Sequence, residues 1–143
     1  IDKKKFKMSI NFFENSSFHH IGYASKNIKK DQQYFELIGF KQESEIFTDE
    51  YQGIRGVFLK NETQRIELLE NLPGSHMLDT FLKKGIHMYH VAYIVENLQS
   101  AIDFLKNRKA ILIRKPMESV AFKRKQICFL CLANGLIVEL IEK

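Results

Sequence analysis

Four residues could do chemistry together: His20, Glu67, His90 and Glu139. Glu67 lies between Ile66 and Leu68, and Glu139 between Val138 and Leu140. A carboxylate in such apolar surroundings must be paired, hydrogen-bonded or metal-bound, because burying it alone costs several kcal/mol. Two imidazoles and two carboxylates make a mixed nitrogen and oxygen set that suits a divalent ion such as Co, Ni, Zn, Mn or Fe. Coordination positions left open on such an ion could take water or substrate oxygens. Taken singly, a His or Glu on a strand is more simply a satisfied or water-facing side chain. What sets these four apart is that they recur.

The second half of the chain lies over the first. Residues 18–25, Phe-His-His-Ile-Gly-Tyr-Ala-Ser, match residues 88–95, Met-Tyr-His-Val-Ala-Tyr-Ile-Val. Residues 65–70, Arg-Ile-Glu-Leu-Leu-Glu, match residues 137–142, Ile-Val-Glu-Leu-Ile-Glu. His90 follows His20 by 70 positions and Glu139 follows Glu67 by 72. So constant an offset argues for two copies of one supersecondary unit.

The elements that must position these residues follow from local pattern. An amphipathic stretch at 28–38 carries Tyr34, Phe35, Leu37 and Ile38. Its counterpart at 98–105 carries Leu98, Ala101, Ile102 and Leu105 at helical spacing. Strands are predicted at 40–47, 54–59 and from Arg65 in the first half. In the second they fall at 110–113, 126–132 and 136–141, with Asn134-Gly135 as a tight hairpin turn. The expected fold class is α+β: two tandem βαβββ modules forming a curved mixed sheet around a metal site. Module 1 covers about 17–71 and module 2 about 86–143. The connector at 72–85 contains Pro73-Gly74 and a short helix at 77–83. Residues 17–143 are expected to form one domain, and residues 1–16 a disordered leader or a non-native remnant, with Met8 available as a start. Strand alternation puts His19 on the face opposite His20. His87 precedes its strand and His76 sits in the connector, so all three read as surface or packing groups, with His19 and His76 at a pocket rim at most.

Composition narrows the class. Of 143 residues, 45% are hydrophobic and 27% charged, which describes a globular chain. No apolar run approaches the roughly 20 residues of a membrane-spanning helix, and no secretory signal opens the chain. Cys128 and Cys131 fall on one predicted strand, three apart and so on opposite faces. They suit neither a disulfide nor a shared metal, and buried thiols fit a reducing cytoplasm. Of the net charge of +5, part lies in Lys3, Lys4, Lys5 and Lys7. A later group, Arg114, Lys115, Lys123, Arg124 and Lys125, reads either as a solvated hairpin or as an attractor of an anionic small-molecule substrate. No nucleic-acid-binding module accompanies it.

The residues quoted above resemble the vicinal oxygen chelate superfamily, which includes glyoxalases, bleomycin-resistance proteins and ring-cleaving dioxygenases. The resemblance runs from about His19 to Lys143 and is nearest to methylmalonyl-CoA epimerase-like members. It rests on residues 18–24 (Phe-His-His-Ile-Gly-Tyr-Ala), 51–59 (Tyr-Gln-Gly-Ile-Arg-Gly-Val-Phe-Leu), 66–70 (Ile-Glu-Leu-Leu-Glu), 85–93 (Gly-Ile-His-Met-Tyr-His-Val-Ala-Tyr) and 134–142 (Asn-Gly-Leu-Ile-Val-Glu-Leu-Ile-Glu). It implies a glyoxalase-like fold, a homodimer, and metal ligands at His20, Glu67, His90 and Glu139. It also implies an isomerase or epimerase that moves the α-proton of an acyl thioester-like substrate, such as a CoA or glutathione thioester, beside a carbonyl held by the metal. Glu139 or Glu67 would then be the proton shuttle.

One position departs from the epimerase pattern. Where those proteins carry Glu-Gln-Gly, this chain has Tyr51-Gln52-Gly53, with Glu50 one residue earlier. A tyrosine, with an ordinary pKa near ~10, is a poor base at neutral pH. Glu50 could replace the missing carboxylate only through a rearranged turn, so Tyr51 and Glu50 are expected to assist at most. The set His-Glu-His-Glu also resembles bacterial glyoxalase I, a lactoylglutathione lyase in which a metal-bound glutamate is the base. A third reading is a non-catalytic small-molecule binder of the bleomycin-resistance type.

Overall fold

The computed structural model describes Phe13 and residues 15–143. The expectation of a disordered leader at 1–16 therefore falls almost wholly outside the described residues. Two strands form the middle of one open sheet: β1 (Ser17–Ala24) and β6 (Met88–Val95), paired antiparallel. On one side lie β5 (Arg65–Asn71), parallel to β1, then β4 (Ile54–Lys60). On the other lie β9 (Ile137–Glu142), parallel to β6, then β8 (Gln126–Cys131) and β7 (Ile111–Glu118). The short strands β2 (Lys41–Gln42) and β3 (Phe47–Asp49) both pair with β4 and close the first edge. The nine-stranded order thus reads the same outward from the β1–β6 seam in either direction. The α+β class and the repeat stand as read.

The helices start where the sequence offers a cap. Asn27 accepts from the Lys30 backbone N–H at 3.0 Å to begin α1 (Ile28–Leu37). Asn97 does the same from Ser100 at 2.8 Å to begin α3 (Leu98–Lys106). Such side-chain oxygens satisfy donors that a helix leaves free at its start. A five-residue helix, α2 (Asp79–Lys83), lies in the connector. At the tip between β8 and β9, Gly135 has φ 88°, a conformation that favours glycine, and the Asn134 side chain accepts from the Leu136 N–H. The predicted hairpin is there.

Two strand expectations need correction. The single strand expected at 40–47 is broken, because the Ser44 hydroxyl accepts from the Phe58 backbone N–H at 2.9 Å. That bond takes a donor away from the ladder, and the Glu43 and Ser44 N–H groups then share the Phe58 carbonyl at 2.8 and 3.4 Å before the chain leaves the sheet. The strand expected at 110–113 instead continues to Glu118 through Pro116. β7 is an edge strand with register shifts, and an edge tolerates the missing proline N–H.

The sheet's alternation separates packing from chemistry. Ile66 and Leu68 of β5 join Ile28, Phe40, Val57 and Leu59 in the first core. Val138 and Leu140 of β9 join Leu98, Ala101 and Ile102 in the second. Glu67 and Glu139, one residue along, face the other side. No helix among the described residues is long and apolar enough to cross a membrane.

Candidate metal centre

Backbone register brings the four polar residues together. In the central pair His20 lies opposite Ala92, and Gly22 opposite His90. In the flanking parallel pairs Gly22 lies opposite Glu67, and Ala92 opposite Glu139. The same lattice is built twice about the seam. All four side chains are buried, His20 completely.

The donor atoms crowd one point. His20 Nε2 lies 3.1 Å from His90 Nε2, 3.3 Å from Glu67 Oε1 and 3.2 Å from Glu139 Oε1. His90 Nε2 lies 3.7 Å from Glu67 Oε1 and 3.3 Å from Glu139 Oε1. Donors bound at about 2.0–2.2 Å to one ion stand roughly 3.0–3.5 Å from one another. His20, His90 and Glu139 have those spacings, Glu67 stands slightly farther from His90, and all four donor atoms lie within 4.8 Å of one another. Glu139 Oε1 is buried with no hydrogen-bond partner among the described residues, despite its two imidazole neighbours. A buried oxygen of that kind is costly unless something cationic satisfies it. The donor set, its spacing and this orphaned oxygen fit a divalent ion.

Charge coupling within the cluster is strong. Burial alone would lower the basicity of His20, but Glu67 and Glu139 outweigh it and raise its pKa to about 9. Burial likewise pushes the Glu139 carboxyl up, and the His20 and His90 imidazoles more than reverse this, bringing it down to about 2. Burial and the two carboxylates push the Tyr89 hydroxyl well above its ordinary range.

Close approach is permitted by a missing side chain. A Cβ on Gly22 would meet the His90 ring at 2.0 Å, so only glycine leaves room for that imidazole. Aromatic rings wall the cluster. Phe58 and Phe122 pack on His20 at 5.4 and 5.9 Å between centroids, and Phe129 on His90 at 5.3 Å.

His19 is not on the opposite face. A register irregularity between Phe18 and His20 breaks strict alternation and turns both rings the same way. His19 Nδ1 sits 2.8 Å from His20 Nδ1. Burial, then the charges of His20 and Arg65, lower the His19 pKa to about 4, so its ring is neutral and free to accept from His20 Nδ1. With Nδ1 engaged there, Nε2 is the His20 nitrogen that faces the cluster. Of the other histidines, His87 bonds to the Ala24 carbonyl at 2.7 Å and exposed His76 pairs with Asp79.

Tyr51 and Glu50 do not join the cluster. Tyr51 is 83% exposed on the turn after β3, and Glu50 is exposed beside it. The carboxylate that turns inward is Asp49, only 3% exposed. It accepts from the Gln52 backbone N–H at 3.0 Å and from the Gln52 amide at 2.9 Å. With Gln52, Ser119 and Tyr89 it lines a narrow cleft of about 20 Å³ whose wall includes Glu67 and Glu139. Sequence reasoning passed over Asp49, though an Asp three residues before a Gln-Gly turn signals a side chain folded back on its own backbone. It also passed over Gly22, whose signal was a small residue two places after each ligand histidine, Gly22 and Ala92.

The basic group splits. Half-buried Arg114 lines one cavity and exposed Arg124 another, whereas Lys115, Lys123 and Lys125 are exposed and line neither. Cys128 is buried, its thiol pushed up to about 12 by burial and by Glu139, and both cysteines are free.

Known proteins share this arrangement of the chain. Residues 19–129 match the family model described as the glyoxalase/bleomycin resistance protein/dioxygenase superfamily. A mitochondrial methylmalonyl-CoA epimerase of Dictyostelium discoideum is 28% identical over 131 residues, covering 87% of this chain and 77% of the relative. A hypothetical protein of Bacillus halodurans has a crystal structure that superposes with a TM-score of 0.77 at 27% identity, covering 90% of this chain and 95% of that one. The methylmalonyl-CoA epimerase of Mycobacterium tuberculosis superposes at 0.72 with 22% identity, covering 87% and 86%, a likeness of fold.

Proposed function

The chain belongs to the glyoxalase/bleomycin resistance protein/dioxygenase superfamily, and from that membership we propose a metal-dependent isomerase that moves the α-proton of an acyl thioester of the methylmalonyl-CoA kind. The observation that carries this reading is the cavity at the cluster. It joins Glu67 and Glu139 from the two half-sites with Asp49 from a third element, beside two imidazoles. His20, Glu67, His90 and Glu139 would hold the ion. When bound, a divalent ion supplies Lewis acidity to a substrate carbonyl oxygen and so acidifies the neighbouring C–H.

The chain's own groups do the rest. Epimerisation takes a proton from one face of a carbon and returns one to the other, so a proton-carrying group on each side serves it. Glu139 supplies one and Asp49 the other. We assign Asp49 the role that the epimerase pattern gives to the carboxylate before Gln-Gly, because Tyr51 and Glu50 lie exposed on the turn while Asp49 is buried. Gln52 holds its carboxylate in place with two donors. Phe58, Phe122 and Phe129 keep bulk water from the cluster, which preserves the strength of the charges inside. Tyr51 and Glu50 remain at the rim, where they could touch the substrate's outer portion.

The test is proton exchange. Metal-loaded protein incubated with methylmalonyl-CoA in deuterated water should add one mass unit at the α-carbon. Exchange confined to the glutathione hemithioacetal of methylglyoxal would replace this reading with a glyoxalase I activity. Tight binding of either compound without exchange would replace it with a binding protein.

A further inference from the structure

A second cavity, of about 170 Å³, adjoins the cluster cleft, and Gln52, Ile54, Tyr89 and Phe129 line both. Its remaining wall is apolar, with Leu78, Phe81, Ile113 and Ile137, and carries a single cation, Arg114. The Arg114 guanidinium is half-buried, with Nη2 3.4 Å from the Met77 sulfur and Nη1 3.6 Å from the Met117 sulfur. No carboxylate among the described residues pairs with it. Arg55 and Arg65, by contrast, pair with Glu70 and Glu43. A thioether is a weak, uncharged acceptor, so the guanidinium keeps its charge and its planar donors for something better. Carboxylate and phosphate oxygens are the partners that such a fork fits.

We propose that Arg114 recognises the anionic end of the substrate, whose apolar middle lies along Ile54, Ile113 and Ile137 and whose oxygen reaches the His/Glu cluster. The substrate class is thus an acyl thioester whose acyl chain is longer than a methylmalonyl group, with several apolar carbons and a terminal carboxylate or phosphate. This rests on the reading of the cluster as the place of substrate oxygens. Met77 and Met117 act as placeholders: unbranched side chains that yield the guanidinium when an anion enters.

The test is a titration of the purified full chain, carrying carbon-13 methyl labels on Ile and Met, with hexanoate, hexyl phosphate and hexan-1-ol. Both anions should bind about tenfold or more tighter than the alcohol, as hydrogen bonds to a charged group allow. They should also shift the methyl signals of Ile54, Ile113, Ile137, Met77 and Met117. Arg114→Met should erase that preference while leaving hexan-1-ol affinity unchanged, which shows that the cavity still folds. Arg114→Lys should restore part of it. Tighter binding of hexanoate or of hexyl phosphate tells which anion the site is built for. Equal binding of alcohol and anions, a preference that survives Arg114→Met, or shifts confined to other methyls would each overturn the proposal. Because no proton exchange is read, preferential anion binding without exchange on any thioester would sink the proposed reaction and leave this site standing.

Discussion

The two halves place their ligands alike and support them differently. In the second half α3 buries Leu98, Ala101 and Ile102 against Leu130, Val138 and Leu140. In the first half only Ile28 of α1 is buried, while Leu37 is 79% exposed and Tyr34 61%. The edges differ as well, since β7 runs unbroken for eight residues and its counterpart is split into β2 and β3. Behind the ligand histidines the contrast reverses. His20 has His19 at its Nδ1, whereas Tyr89, in the equivalent place, meets the His90 ring edge-on at 4.5 Å and leaves His90 Nδ1 without a hydrogen-bond partner among the described residues. Duplication thus held the geometry that chemistry needs and let packing drift. The second half anchors the fold, and the first half holds its ligand histidine from behind.

The sharpest break in this symmetry is expected at the carboxylates. Glu139→Gln should slow α-proton exchange by about 10²–10⁴-fold, the range of general acid–base catalysis. Glu67→Gln should stay within roughly tenfold, because an amide oxygen can still serve as a ligand. Equal losses in deuterium incorporation would make the two carboxylates interchangeable. Next in size is packing. Ile102→Ala should cost about 2–5 kcal/mol in urea unfolding, as large-to-small changes in a core do, and Leu37→Ala at most about 0.5 kcal/mol. Comparable costs would erase the anchoring role of the second half. His19→Phe should weaken metal affinity by about 10–100-fold in competition with a coloured chelator, while Tyr89→Phe leaves it unchanged. The caps should behave alike, with Asn27→Ala and Asn97→Ala each costing about 1 kcal/mol. The smallest effect belongs to the first edge. A hydrogen bond from Arg65 lowers the Glu43 pKa, so this pair's contribution is present above the ordinary carboxylate value and lost as pH falls through the depressed one. For a partly exposed pair that is roughly 0.2–1 kcal/mol. Glu43→Gln should remove it at neutral pH and change nothing below that window in thermal melts.

Much of this was legible because it was written twice. Glu67 in an apolar strand is ambiguous; Glu67 and Glu139 in matching strands are not. The Asn134-Gly135 hairpin was legible because glycine is nearly alone in tolerating the φ it adopts there. What escaped depended on contacts that no local pattern records. Ser44 breaks its strand only because Phe58 arrives beside it from β4. His19 reaches His20 only through a register irregularity against β6, and alternation has no way to announce a bulge. Asp49 looked like one acidic residue among several on a turn. The direction in which it points is set by Gln52 and by the packing of β3 on β4. The extension of β7 past residue 113 runs through Pro116, which an edge position allows.

The β1–β6 seam has one more consequence. Each half brings one histidine and one glutamate, so neither can hold an ion by itself. A bound ion would be a cross-link between residues 119 positions apart, from His20 to Glu139, as well as a participant in chemistry. Two fragments cut in the exposed turn at Pro73-Gly74 would then find each other more tightly when the ion is supplied and drift apart under a chelator. Metal availability would govern not only what the protein does but whether its halves stay together.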